Sequence, residues 1–233
     1  MQLKASDITP VTKIRNEEYW IEYVLRDVCE VFGRFIMYDT GSTDQTKEIA
    51  RHTAQKHGAE LWLIEDDCDN DPNKIGNAPN VLREMCETHW MMLVDGDEIW
   101  RTDQLKRLLT IKVPDDTEVI MVTGRNLTHQ NGSLVQRDTF SADRLFSPVV
   151  RWGRTDYPFE SHFLEKRVER GVVAYLPVWF WHTRHLQRSS QGDAAYFRQQ
   201  KRDYFPYDGP FTPLPDEWLG KIGKYPNPYL RVT

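Results

Sequence analysis

Cysteine is scarce in this sequence, and the few cysteines exclude two common uses of the residue. The 233 residues contain only Cys29, Cys68 and Cys86. These positions match neither the spacing of a metal-binding motif nor a framework of paired disulfides. Unpaired cysteines suit a reducing compartment, so we expect a cytoplasmic protein.

Long hydrophobic runs are also missing. No apolar run approaches the roughly 20 residues that a helix needs to cross a bilayer. The first residues include Lys4 and Asp7 and have no apolar core, which is unlike a signal peptide. We therefore expect no transmembrane segment, and any contact with a membrane would be peripheral.

Positive charge is in short supply, with 30 Lys and Arg against 35 Asp and Glu. The resulting net charge of −5 gives no broad attraction for nucleic acid, so we do not expect nucleic acid as a partner. What the chain does contain is 39% hydrophobic residues, which is typical of a globular protein with a sizeable core. Its length suits one domain, or one domain with a small appendage.

Apolar patterning over the first 112 residues alternates between the periods of strands and of helices. The predicted strands cover residues 8–14, 34–38, 60–64 and 89–94. The predicted helices cover residues 17–31, about 43–57, 81–88 and about 103–109. This alternation predicts an α/β fold in which a mostly parallel sheet carries helices on both faces.

The pattern changes after Pro114, where strands dominate. They are predicted at residues 119–122, 144–146, 149–152 and 172–181, and Asn131-Gly132 indicates a hairpin. A polar helix is predicted over 189–204, and a tail rich in Pro and Tyr follows. We therefore divide the chain into a first half (1–112), a second half of the same domain (113–204) and an extended C-terminal arm (205–233).

Three carboxylates follow the apolar run Met91–Val94 within four residues: Asp95, Asp97 and Glu98. In an open α/β sheet, ligands bind just beyond the carboxyl ends of the strands. Carboxylates at such a place commonly hold a hard divalent cation, which in turn holds phosphate. The alternative is a charged turn in which Asp97 or Glu98 caps the next helix.

Two further polar clusters follow predicted strands. Asp39–Asp44 comes after the second strand and opens a helix, where Asp39 can accept hydrogen bonds from a nucleobase or ribose. Lys13–Glu18 comes after the first strand. Either segment alone also suits an ordinary turn, with Ser42 or Thr43 as a helix cap. Three successive strands that end in polar clusters at one sheet edge predict a nucleotide site.

Taken in order, the segments Lys13–Glu18, Asp39–Asp44 and Leu93–Glu98 resemble those of the family 2 glycosyltransferases of GT-A fold. The resemblance is strong over residues 8 to about 110 and looser beyond. It implies a Rossmann-like central sheet with a smaller mixed sheet on the acceptor side. Residues 1–112 would then bind a nucleotide sugar, most often UDP-linked in this family, and residues 113–204 would bind the acceptor. The implied activity is inverting, metal-dependent sugar transfer.

The resemblance also implies roles for single residues. Asp97 would ligate Mn²⁺ or Mg²⁺, and His182, at the end of an aromatic strand, would be a further metal ligand, with His185 as the substitute. A histidine after a strand can equally be a buried or capping residue. The residues expected to bind the nucleotide are Lys13, Arg15, Asn16, Glu17, Asp39, Ser42, Asp95 and Arg184.

An inverting transfer needs a carboxylate base to take the proton of the acceptor hydroxyl. Arg144–Phe146 matches a segment that precedes a His-Glu pair in related enzymes, so we expect Glu160 to be the base. Phe159 stands where those enzymes have the histidine. Glu160 could instead be a surface residue paired with a nearby arginine, and the other candidate bases are Asp138, Asp143 and Asp156.

Two other functions fit part of the pattern. A nucleotidyltransferase also pairs an α/β fold with a carboxylate-held metal, but it needs a basic glycine-rich loop, and Lys13–Glu18 contains no glycine. A catalytically inactive nucleotide-sugar or glycan-binding module is the second alternative, against which the intact Asp95 and Asp97 argue. The sequence leaves the sugar and the acceptor open.

Overall fold

The computed structural model describes residues 1–68, 71–130, 133–150, 172–183, 189 and 212–213. The strands in these ranges are β1 (Ile8–Ile14), β2 (Arg34–Asp39), β3 (Glu60–Glu65), β4 (Trp90–Leu93), β5 (Glu98–Ile99), β6 (Thr117–Gln130), β7 (Ser133–Phe146), β8 (Val172–His182) and β9 (Thr212–Pro213). The helices are α1 (Ile21–Phe32), α2 (Thr46–Lys56), α3 (Pro72–Met85) and α4 (Thr102–Leu108). None of these helices is long and apolar enough to cross a membrane.

All of these strands belong to one sheet, in the order β3-β2-β1-β4-β7-β6-β8-β5, with β9 beside β7. The first four run parallel, which confirms the parallel sheet predicted for the first half. β1 and β4 are almost wholly buried because helices cover both faces of the sheet at this point. The sheet therefore holds the carboxyl ends of β1, β2 and β4 in fixed positions beside one another.

The second half extends the same sheet with mixed pairing. β7 pairs antiparallel with β4 and with β6, β8 pairs parallel with β6, and β5 pairs antiparallel with β8. The hairpin that Asn131-Gly132 indicates is confirmed by the pairing of Gln130 with Ser133. β6 and β7 are both longer than predicted, and two register shifts interrupt their pairing, after Ile120 and after Arg125. The mixed strands thus continue the parallel sheet instead of forming a separate layer.

Two predicted helices begin later than expected. α1 starts at Ile21 because the backbone N–H groups of Trp20 and Ile21 both bond to the Glu17 carbonyl, at 2.9 Å each, in a separate turn. α2 starts at Thr46, and neither Ser42 nor Thr43 caps it, because both residues bond across to Asn16. At α1 a local turn precedes the helix, whereas at α2 contacts between two loops replace the local capping that the sequence indicated.

The third helix begins nine residues before the prediction of 81–88 and ends three residues before it. α3 spans Pro72–Met85, and its start is set by the Asp71 side chain, which accepts from the Asn73 N–H at 2.9 Å. Pro79 lies inside the helix and obscures its first turns in the sequence. In α4, the N-cap is Arg101, without a side-chain cap from Thr102 or Asp103.

The prediction of a strand over 149–152 is wrong for residues 149 and 150, which the structure describes. β7 ends at Phe146, and the Val150 N–H bonds to the Ser147 carbonyl at 3.1 Å in a turn. The predicted helix 189–204 and the arm 205–233 lie outside the described residues, apart from Ser189 and β9.

Apolar side chains form one cluster on each face of the sheet. The larger one lies under α1, α2 and α4 and includes Val24, Leu105 and Phe180. The smaller one lies under α3 and includes Leu82 and Met91. Both clusters reach the strands that carry the polar segments, so dense packing supports these segments from either side.

Candidate functional site

The three polar segments predicted from sequence meet at one edge of the sheet. Ile14 and Asp39 are partners in the β1–β2 register, and the Thr40 N–H bonds to the Ile14 carbonyl at 3.0 Å. On the other side of β1, the Val94 N–H bonds to the Val11 carbonyl at 2.9 Å. The ends of β2 and β4 therefore flank the end of β1, as the motif order predicted.

Asp39 is buried at this edge of the sheet, and its two side-chain oxygens differ in their partners. It is only 1% exposed, and Oδ1 accepts from the N–H groups of Gly41 at 2.9 Å and Ser42 at 2.7 Å. Oδ2 has no hydrogen-bond partner among the residues that the structure describes. Because a buried acceptor without a donor is costly, this oxygen suits a ligand donor.

Asn16 and Ser42 tie two of the segments together. Asn16 has a positive φ of 53°, a backbone region that asparagine tolerates better than most residues. Its N–H donates to Ser42 Oγ at 2.9 Å, and its Oδ1 accepts from the Thr43 N–H at 2.9 Å. Asn16 and Ser42, both predicted to bind the nucleotide, thus form hydrogen bonds between the loops that follow β1 and β2. These bonds fix the positions of the two loops relative to each other.

The other first-half candidates surround this link. Lys13 lies in β1 opposite Tyr38, and Arg15 follows the strand. Glu17 is buried against Gly96, where an added Cβ would lie 2.7 Å from Glu17 Cγ. The loop between β4 and β5 can approach Glu17 this closely because position 96 carries no side chain.

A buried ion pair sets the shape of that loop. Glu98 is fully buried, and its two carboxylate oxygens accept from Arg144 Nε at 3.0 and 2.9 Å. Arg144 Nη2 also bonds to Asp95 Oδ2 at 3.3 Å. Burial raises the pKa of Glu98, and the Arg144 charge opposes that shift. Burial alone would lower the pKa of Arg144, but Glu98 and Asp95 outweigh it and raise that pKa.

Arg144 is therefore part of the site, although the sequence indicated it only as a marker of the Arg-Leu-Phe segment. β7 brings it in from the second half of the chain, since Leu145 pairs with Met92 of β4. The Arg-Leu-Phe segment singled out Arg144 in the sequence. Its contact with Glu98 could not be predicted, because that contact depends on the pairing of β7 with β4.

Asp97 and His182, the predicted metal ligands, lie together. Asp97 is 4% exposed, and its Oδ2 lies 3.1 Å from His182 Nε2. The Asp97 carbonyl accepts from the Thr183 N–H at 2.8 Å, which holds the loop against the end of β8. Within the described ranges no group of three His, Cys, Asp or Glu side chains converges. A carboxylate and an imidazole are nevertheless a donor set that suits Mn²⁺, so the two residues fit the expected ion.

The other imidazole nitrogen is also engaged. His182 Nδ1 lies 2.8 Å from Asn126 Oδ1, and Asn126 Nδ2 donates to Asp138 Oδ1 at 2.7 Å. The Phe140 ring packs 5.3 Å from the imidazole between ring centroids. The sequence pattern gave Asn126 no role in this site, and Asp138 was considered only as a possible base.

Of the remaining candidate residues, only Asp143 lies in the part of the chain that the structure describes. The Asp143 carbonyl accepts from Arg144 Nη1 at 2.7 Å. Glu160 and Arg184 lie outside the described residues, as do Asp156 and His185. Their roles stay predictions.

No protein-family model matches this chain, and neither does any curated protein sequence. Solved structures do match it. The crystal structure of S. aureus TarS 1–349 aligns with a TM-score of 0.59 at 13% identity, covering 76% of this chain and 60% of that chain. A second crystal structure of S. aureus TarS aligns with a TM-score of 0.58 at 14% identity, covering 76% of this chain and 36% of that chain. TarS 1–349 in complex with UDP aligns with a TM-score of 0.54 at 14% identity, covering 76% and 60%.

These alignments establish the architecture. The fold is the GT-A fold. This confirms the fold class predicted from the three strand-end segments. The chain spans 60% of TarS 1–349 and 36% of the second TarS chain, so the likeness concerns this shared part. At 13–14% identity, it is a likeness of fold.

Proposed function

We propose that this chain is a metal-dependent glycosyltransferase that moves a sugar from a UDP donor to an acceptor hydroxyl, with inversion. The observation that carries the proposal is the meeting of Asp39, Asp95, Asp97 and His182 at one edge of a GT-A sheet. The structure of TarS 1–349 in complex with UDP, which shares the fold, supports the choice of nucleotide.

The nucleotide side of the site is built around Asp39. Its Oδ2, which has no hydrogen-bond partner within the described part of the chain, would accept from a donor of the nucleoside, such as the N3–H of uracil or a ribose hydroxyl. The Asn16–Ser42 link holds this carboxylate in place through the Ser42 N–H. Lys13, Arg15 and Glu17 flank the same edge, and Arg184 is proposed to clamp the diphosphate from the second half.

The metal side consists of Asp97 Oδ2 and His182 Nε2, which would both bind the ion. When bound, a divalent cation neutralises the charge that develops on the departing diphosphate. The protein offers two ligands, so diphosphate oxygens and water would complete the coordination. Asp95, held by Arg144, lies beside this pair and is proposed to face the ribose.

The acceptor side needs a base. A carboxylate within hydrogen-bond reach of the acceptor hydroxyl would take its proton as the hydroxyl oxygen attacks the anomeric carbon. We propose Glu160 for this role, from the family pattern that follows Arg144–Phe146. The chemical identity of the acceptor would determine which groups surround that base.

The experiment that tests the function is a panel of nucleotide sugars, with release of the free nucleoside diphosphate as the readout. We expect UDP release from at least one UDP sugar in the presence of Mn²⁺, and its loss in excess chelator. UDP binding without turnover of any sugar would instead support an inactive binding module. Pyrophosphate release from UTP and a sugar phosphate would identify a nucleotidyltransferase.

A further inference from the structure

A β-bulge lies beside His182. Between the pairs Arg125–Thr139 and Leu127–Gln136, β6 advances by two residues and β7 by three, so β7 carries one extra residue. Asn126 lies at this irregularity and is the direct partner of His182 in the β6–β8 register. Bulges commonly re-aim side chains next to functional sites. Here the bulge brings Asp138 of β7 against Asn126.

The hydrogen bonds of Asn126 determine where the proton of His182 lies. An ionised carboxylate only accepts, so Asp138 must face the amide nitrogen of Asn126. The amide oxygen of Asn126 therefore faces His182 Nδ1, at 2.8 Å. Because this oxygen also only accepts, Nδ1 must carry a proton.

With the proton on Nδ1, Nε2 is the nitrogen that can bind an ion. It lies 3.1 Å from Asp97 Oδ2, a separation that either a hydrogen-bond proton or a shared cation can bridge. Two ligand atoms that bind one ion at right angles, each about 2.1 Å from it, are about 3 Å apart. The separation of Nε2 and Oδ2 thus matches neighbouring positions around one divalent cation.

We propose that Asn126 is the positioning residue of the metal site: it fixes the tautomer and orientation of His182, and Asp138 fixes Asn126 in turn. This inference rests on the metal site of the proposed function. Asp138 was a candidate base in the sequence analysis. Here its role is to hold Asn126 in place. Partners of this kind typically change metal affinity by about 10- to 100-fold when they are removed.

The test measures Mn²⁺ binding directly, by electron paramagnetic resonance of free Mn²⁺ in the presence of saturating UDP. Asn126→Leu keeps the approximate size of the side chain and removes both polar groups. We expect it to weaken Mn²⁺ binding about 10- to 100-fold. The control is Thr123→Val in the same strand, which removes the exposed bond to the Tyr175 hydroxyl and should leave Mn²⁺ affinity unchanged.

A double-variant cycle separates positioning from general damage. His182→Ala should itself weaken Mn²⁺ binding, and Asn126→Leu should then cause no further loss, because its effect passes through His182. An additional loss of the full single-variant size in the His182→Ala background would overturn the proposal.

Exchanging the side chains of positions 126 and 138 tests whether Mn²⁺ affinity can be rescued. Asn126→Asp alone places a carboxylate next to Asp138 and should weaken Mn²⁺ binding. In combination with Asp138→Asn, the carboxylate at position 126 accepts from His182 Nδ1. The amide at position 138 then donates to the carboxylate at position 126. We expect the double variant to return to within a few-fold of the wild-type affinity, and a double variant as weak as the single one would contradict the mechanism.

The wild-type protein gives an independent readout if a variant does not fold. Long-range proton–nitrogen NMR of His182 with UDP and Mg²⁺ should show Nδ1 protonated, and a proton on Nε2 alone would overturn the assignment. Wild-type protein that binds no Mn²⁺ with UDP present would overturn both this inference and the metal site. Wild-type binding with an equal affinity in Asn126→Leu would overturn this inference alone.

Discussion

Arg144 and Glu98 form a buried ion pair, although the two residues lie 46 positions apart in the sequence. Breaking a buried pair by removing one partner typically costs about 3–5 kcal/mol, because the other charge stays buried without compensation. We expect Arg144→Met to lower the free energy of unfolding by about this amount, measured by urea denaturation.

The matched control is Arg101→Met, which breaks the Arg101–Asp103 pair near the surface and should cost less than about 1 kcal/mol. Adding Glu98→Met to Arg144→Met removes the stranded charge and should recover much of the loss. If Arg144→Met proves no more destabilising than Arg101→Met, the pair does not support the loop in the way its burial indicates.

Asp97 is expected to be essential for metal-dependent turnover. Asp97→Asn keeps the size of the side chain and its neighbours while weakening its binding to a hard cation. UDP release from the donor should lose its dependence on Mn²⁺ and fall to background, with an unchanged thermal melting curve. Asp103→Asn, at an exposed position, serves as the control. Full Mn²⁺-dependent activity in Asp97→Asn would remove Asp97 from the site.

Asp39 is expected to contribute to nucleotide affinity. Its buried Oδ2 lacks a donor among the described residues, so Asp39→Ala should weaken UDP binding by about 1–3 kcal/mol, the scale of one buried polar contact. Isothermal titration calorimetry of UDP measures the change, and Asp116→Ala, at an exposed position, is the control. An unchanged affinity for UDP would mean that the nucleoside lies elsewhere.

Glu160 is expected to act in the transition state. Glu160→Gln should lower kcat by about 10²- to 10⁴-fold while leaving UDP affinity intact, because a base contributes to the chemical step and little to donor binding. Steady-state kinetics with saturating donor, together with UDP calorimetry, separates the two effects. Near wild-type turnover in this variant would make Asp143→Asn and Asp156→Asn the next substitutions to measure.

Sequence patterns predicted the part of the site that depends on local chain order. Asp39 and Asp97 each follow an apolar run, and parallel strands necessarily bring such ends to one edge. His182 was a candidate because it closes an aromatic strand, and the structure places it against Asp97. α3 was misplaced because Pro79 interrupts its pattern.

The supporting residues could not be found in this way. Arg144 acts through a carboxylate 46 residues away, and Asn126 acts through a bulge that shifts β7 by one residue against β6. Neither relationship leaves a period or a spacing in the sequence, because both arise from the register between strands that are distant in the chain.

The continuous sheet has a consequence for protein engineering. Asp97 and Glu98 come from the first half of the chain, whereas His182 and Arg144 come from the second. The two halves are therefore unsuited to exchange as independent modules. A chimaera that takes its first half from one protein and its second half from another must keep both cross-half pairs together. Otherwise it inherits a buried charge without its counterpart and an Asp97 carboxylate without the His182 imidazole beside it.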